Sequence, residues 1–237
     1  MSQLQTLIVG DIKQIFRDRT LSTFMFIPVF LILFIRLFVP YLSQAYPIVA
    51  DYHSYIMMFG GMQTAITFGF ITSFIILDEK DENVLQVIRV LPISPLYFMF
   101  YRLSFATLFS AAGAFILIQT AGIAYPGLLN SILLSLQYGL IAPLITLIIA
   151  TFANNKIEGM AFFKGIDLGL LLPVLAFFVP GIWSYLFAII PTYWTYTLYE
   201  QSLAGSLNIG YFLLGLGVYA LMISALFMQF RKRVFDR

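Results

Sequence analysis

Residues 55–83 read YIMMFGGMQTAITFGFITSFIIL from Tyr55 to Leu77, then DEKDEN from Asp78 to Asn83. A bilayer core about 30 Å thick is crossed by roughly 20 helical residues at about 1.5 Å each. The first part of this stretch meets that length without a charge, and the second part ends it. Working outward, five more stretches read the same way: Leu21 to Leu42, Leu103 to Ala124, Leu128 to Phe152, Met160 to Val179 and Ile209 to Phe230. The expected fold is therefore all-α and integral to a membrane, with six transmembrane helices.

The composition agrees. Of 237 residues, 61% are hydrophobic and 10% charged, and the mean hydropathy is +0.93, far beyond what a water-soluble core needs. A bilayer accepts such surface when every backbone polar group is bonded within its own helix. Cysteine is absent, which excludes a disulfide framework, a thiolate nucleophile and cysteine metal sites. The net charge of +2 is too small, and too scattered over the segment ends, to point to nucleic acid.

Orientation follows from the basic residues, which stay on the cytoplasmic side of short connections. Lys13, Arg17 and Arg19 precede the first span; Lys80, Arg89 and Arg102 lie between the second and third; Lys156 and Lys164 border the fourth and fifth; Arg231, Lys232, Arg233 and Arg237 close the chain. With six spans all of these fall on one side, so both termini are expected in the cytoplasm. The opposite connections, near 43–52, 125–127 and 180–208, hold no Lys or Arg. Arg36, near the outer end of its span, is the exception and is expected to snorkel.

Three segments lie outside the spans. Leu4, Leu7, Ile8, Ile12, Ile15 and Phe16 recur at helical spacing with polar residues between them, as in an amphipathic helix lying in the membrane plane over residues 1–20. A cleaved signal peptide is disfavoured, because some twenty residues precede a first apolar run that is too long for one and is interrupted by Arg36 and Pro40. Residues 181–207 are too short in apolar content to span and contain Pro191. With Trp183, Tyr185, Tyr193, Trp194, Tyr196 and Tyr199 they are expected to form an extracytoplasmic re-entrant hairpin whose rings sit at headgroup depth, an ordinary outer loop being the simpler alternative. No repeat and no low-complexity linker divides the chain, so residues 1–237 form one membrane domain.

The third segment is the most informative. After Asp78-Glu79-Lys80-Asp81-Glu82-Asn83 comes Val84-Leu85-Gln86-Val87-Ile88-Arg89-Val90-Leu91-Pro92. Val84, Val87, Ile88 and Leu91 share one helical face. Acids gather at the positive end of the helix dipole and Arg89 lies near its negative end, while Pro92 and Pro95 stop the helix. A short amphipathic helix outside the bilayer needs a partner for its stripe, either the spans' own ends or another protein.

This layout resembles the type-2 permeases of ATP-binding cassette (ABC) exporters. In that family an acidic and basic cluster, a small amphipathic helix, a Pro-aliphatic-Ser or Thr motif and a basic residue lead into the third span. Glu79 to Glu82, Val84 to Leu91, Pro92-Ile93-Ser94 and Arg102 follow that order, with Asn83 where a Gly is common. The in-plane helix, the six spans and the aromatic hairpin with Pro191-Thr192-Tyr193 extend the resemblance over the chain. Its length and its Asn154-to-Gly159 connection look like small drug-export permeases, those named for fluoroquinolones among them.

The resemblance implies that residues 78–95 form a cytoplasmic coupling loop. Glu79, Lys80, Asp81, Glu82, Asn83, Val84, Val87, Ile88, Arg89 and Leu91 would contact a separate nucleotide-binding subunit. It implies pairing with a second permease subunit, as homodimer or heterodimer, in a prokaryotic cell membrane. By the same analogy Thr64, Thr67 and Asp167 are candidate pathway residues. No G-x-x-x-x-G-K-[ST] motif occurs, so ATP and Mg would be bound by the partner and no cofactor by this chain. Asn154 to Gly159 is a further contact or a plain polar turn.

Lys164 and Asp167 are three residues apart and are expected to pair along one helix face, lining a path being the alternative. Gly61, Ala65 and Gly69, and likewise Gly165 and Gly169, form small-residue ridges that suit close helix packing within a subunit or between two. The leading function is export of a hydrophobic or amphipathic molecule, drug-like or lipid-like. An ATP-independent secondary transporter or channel is the alternative, disfavoured by the lack of visible inverted repeats. A membrane enzyme finds no catalytic set around His53, the single histidine.

Overall fold

The computed structural model describes residues 3–82, 95–206 and 209–234, and all regular structure among them is helical. Six stretches are long and apolar enough to cross a membrane: Arg19–Ala45, Pro47–Asp81, Tyr97–Thr120, Leu128–Phe152, Lys156–Phe178 and Ile209–Arg233. The six expected spans are thus present, with one shifted. The third starts earlier, because Pro95 opens its helix, at a position where a missing N–H is tolerated. It stops at Thr120 rather than Ala124 because Gly122 (φ +76°) and Ala124 (φ +43°) leave the helical region.

In chain order the helices are α1 (Gln3–Arg17), α2 (Arg19–Met25), α3 (Ile27–Leu33), α4 (Val39–Ala45), α5 (His53–Asp81), α6 (Pro95–Thr120), α7 (Leu128–Gly139), α8 (Ile141–Phe152), α9 (Lys156–Leu171), α10 (Thr192–Leu203) and α11 (Ile209–Val234). Prolines explain most of the breaks. The first span contains Pro28, a π-helical turn over Phe34–Phe38 and then Pro40. The fourth divides between α7 and α8, where Pro143 has no N–H for the carbonyl of Gly139. The fifth tightens into a 3-10 helix, Leu172–Phe178, at Pro173.

α5 is the centre of the bundle and packs mainly on α6 and α8. Of its most apolar window 89% is buried, against 17% for the first span, 17% for the fifth and 11% for the sixth. Its small residues make this possible. A Cβ on Gly69 would stand 2.8 Å from the carbonyl oxygen of Ala142, and one on Gly61 2.7 Å from the ring of Tyr138. At that crossing Thr146 Oγ1 donates to the Gly69 carbonyl at 3.1 Å. The ridge of the second span is therefore used inside the subunit.

The aromatic segment before the last span divides in two. A 3-10 helix, Gly181–Ile189, carries exposed Trp183 and Tyr185, whereas Tyr193, Tyr196 and Tyr199 on α10 are buried. These three rings pack against the subunit's own helices. Tyr196 and Thr192 hydroxyls both donate to the Leu170 carbonyl, at 3.1 and 2.6 Å, beside the bend that Pro173 makes in the fifth span. Tyr199 donates to the Ala124 carbonyl at 2.7 Å. Arg36 donates to the carbonyl of Thr120 at the end of α6, where helix carbonyls lack intrahelical partners.

Candidate functional site

Two groups of ion-paired side chains lie at one end of the bundle, around the two ends of the 83–94 connection. Among the α1 side chains that are described, Asp11 and Ile15 are buried, whereas the apolar Val9, Ile12 and Phe16 are exposed. The helix thus turns a carboxylate inward and apolar groups outward. Asp18 follows Asp11 by seven residues and returns to the same face. It caps α2, accepting from the N–H groups of Thr20 (2.8 Å) and Leu21 (3.2 Å).

Each of these aspartates shares a cation with the acidic end of α5. Arg102, 3% exposed, grips Glu79 with both terminal nitrogens, Nη1 to Oε2 at 2.7 Å and Nη2 to Oε1 at 2.6 Å. Its Nη2 also donates to Asp11 Oδ1 at 2.9 Å, and its guanidinium lies 4.5 Å from the centre of the Phe98 ring. Tyr101 donates to the other Asp11 oxygen at 3.4 Å. Burial pushes the Asp11 carboxyl up, against the pull of Arg102 and Tyr101. The second bridge is wetter. Lys156, 37% exposed, meets Asp18 Oδ2 and Asp78 Oδ1, each at 2.8 Å, and Gln14 donates to Asp78 at 3.2 Å. The hydrogen bond from Lys156 holds Asp18 below the ordinary aspartate value.

Glu79 and Arg102 stand on the two sides of the 83–94 connection, so their fork ties its base. Of the expected partner contacts, Glu79 is engaged in that fork, Lys80 donates to the Ala153 carbonyl at 2.8 Å, and Asp81 and Glu82 are exposed. Asn83, Val84, Val87, Ile88, Arg89 and Leu91 lie outside the described residues. Asn154 to Gly159 forms a helix start: Asn155 accepts from the Glu158 N–H at 2.9 Å, and Glu158 returns to the N–H of Asn154 at 2.8 Å.

The residues expected along the pathway separate. Thr64 and Thr67 are buried inside the subunit; Thr67 Oγ1 donates to the Gln63 carbonyl at 2.9 Å, and Thr64 Oγ1 has no partner among the described residues. Asp167 is half-buried and accepts from Gln63 Nε2 at 2.7 Å. The expected pair with Lys164 does not form. Spacing permitted it, but Asp167 faces α5 and Lys164 is exposed. Sequence reasoning missed Asp11, Asp18, Asp78, Lys156 and Gln63. The recurrence of aspartate at 11 and 18 around Ile15 was a usable signal for the first two.

No solved structure matches the chain. Two curated proteins of Mycobacterium tuberculosis are similar to it: the fluoroquinolones export permease protein MT2760 of strain CDC 1551 / Oshkosh and Rv2686c of strain ATCC 25618 / H37Rv. Each is 28% identical over 195 residues, covering 78% of this chain and 77% of its own. Residues 11–227 match the profile described as "Fluoroquinolones export permease protein Rv2686c-like". That match begins at Asp11 in the ionic base and takes in all six spans but the end of the last, and the chain belongs to the Rv2686c-like family of export permeases.

Proposed function

We propose that this chain is the membrane subunit of an ATP-driven drug exporter. It pairs with a second permease subunit and is worked by a separate nucleotide-binding subunit that carries ATP and Mg. Its substrate is amphipathic and drug-like or lipid-like, in keeping with the fluoroquinolones named for its relatives. The membrane is a prokaryotic cell membrane with both termini cytoplasmic, α1 lying in its surface plane and residues 181–207 forming an outer re-entrant hairpin. Residues 78–95 are the coupling loop.

The observation that carries this reading is the fork of Arg102 on Glu79 and Asp11. A force on the 83–94 connection reaches the second span through Glu79, the third through Arg102 and α1 through Asp11, so three elements move as one piece. The test is co-purification with the native ATPase. Charged replacements of Val84, Val87 and Ile88 are expected to abolish association while membrane insertion persists. Tags near Gly127 and Ser206 should label from outside intact cells, and tags at Asn83 or Arg237 should not. Transport by this polypeptide alone, on an ion gradient without ATP, would overturn the proposal in favour of a secondary carrier.

A further inference from the structure

α1 roofs a crevice of about 170 Å³ against the second and third spans. Its wall on α5 is Phe68, Ile71, Thr72 and Ile75, and on α6 it is Arg102, Phe105, Ala106 and Phe109. Each set recurs at i, i+3, i+4 and i+7, so each is one continuous helix face. Seven residues of helix rise about 10 Å, and the crevice runs about that far along both spans. One end is polar, where Arg102 and Asp11 meet at the ion-paired end of the bundle. The other is aromatic, with the rings of Phe105 and Phe109 4.3 Å apart and that of Phe68 6.0 Å from Phe109.

Water does not suit this space, because a buried water needs several polar partners and Thr72 is the one polar side chain of the lining away from Arg102 and Asp11. An apolar cavity of about 150 Å³ stays dry and takes up benzene, whereas a helix, about 10 Å across, is too wide. A single hydrocarbon chain fits. The rim is apolar as well: Ile12, Phe16 and Phe109 line the crevice and are also exposed on the outer surface. Polar at the bundle end and hydrocarbon toward the middle of the spans, the crevice has the polarity order of a lipid leaflet. Arg102 keeps one donor to spare, since its Nε is buried without a partner among the described residues, and a lipid ester carbonyl is an acceptor. We propose that one acyl chain of a membrane phospholipid occupies this crevice and packs α1 against the second and third spans. This rests on the reading above in which α1 lies in the membrane surface.

The test reconstitutes the full chain in dioleoyl phosphatidylcholine vesicles doped with a phosphatidylcholine that carries a diazirine on one acyl chain. After irradiation, the labelled residues are mapped by mass spectrometry. Label is expected on Ile71, Ile75 and Ala106, which are 3%, 4% and 1% exposed and out of reach of lipid around the bundle, as well as on the exposed Phe16 and Leu221. Ala106→Leu fills the space and should lower the label on Ile71 and Ile75 about tenfold relative to Leu221. Unchanged label in the folded variant overturns the inference. Label on Phe16 and Leu221 that spares Ile71, Ile75 and Ala106 also overturns it, and the parent protein decides this alone if the variant does not fold. Displacement of the inner label by a fluoroquinolone overturns it too, in favour of a substrate site. Label on Leu221 without Phe16 takes α1 out of the membrane surface and overturns the reading on which the inference rests.

Discussion

The second and fifth spans carry the same pattern, small residues four apart, and use it oppositely. On α5, Gly61 and Gly69 let Tyr138 and the backbone of Ala142 approach to distances that no side chain would permit. On α9, Gly165 and Gly169 face open space. A small-residue ridge therefore marks where something large can come close, but not what it is. For the second span it is the subunit's own α7 and α8; for the fifth, none of the described residues fills it.

Replacing Gly69 with Leu is the severest way to break that comparison. Its nearest obstruction is backbone, which cannot swing aside, so most of the folded, detergent-extractable protein should be lost in a thermal size-exclusion assay. Next comes Arg102→Met near the start of the third span, whose guanidinium grips the end of the second. Two buried carboxylates lose their cation, at a cost of about 3–5 kcal/mol, seen as a lower unfolding midpoint. Gly165→Leu should change the stability of the isolated subunit by no more than about 0.5 kcal/mol, while weakening subunit pairing or export. A large loss of stability there would show that both ridges are internal.

The smallest effect concerns the start of the fifth span. Asp18 has a lowered value in the folded protein, so its contribution is fully present above the ordinary aspartate value of 3.8 and is lost as pH falls through the lower folded value. A pH titration of thermal stability should lose that acid limb in Asp18→Asn. Both Lys156 and Asp18 are partly exposed, so the change should be small and salt-sensitive.

The spans were legible because length and apolarity are local properties, and the runs around Tyr55 to Leu77 leave no other solution. The ionic base was not, because Asp11 and Arg102 stand 91 residues apart and Asp18 and Lys156 stand 138 apart. Periodicity assigns a residue to a face and says nothing of what that face meets. The same limit explains Asp167: three-residue spacing allowed Lys164 as a partner, while Gln63, 104 residues away, occupies the position. Tyr196 and Tyr199 looked like surface rings for a related reason, since the carbonyls of Leu170 and Ala124 that their hydroxyls meet belong to distant turns.

The 138-residue separation of Asp18 and Lys156 also orders events during synthesis. A ribosome adding about 5–20 residues per second needs roughly 7–28 s between the two. Until Arg102 is made the first helix has neither bridge, and from then until Lys156 it has the Arg102 anchor alone. The start of the polypeptide is fastened twice only after four spans have been made, so the nascent N-terminus is still gaining its second hold as the fifth span begins.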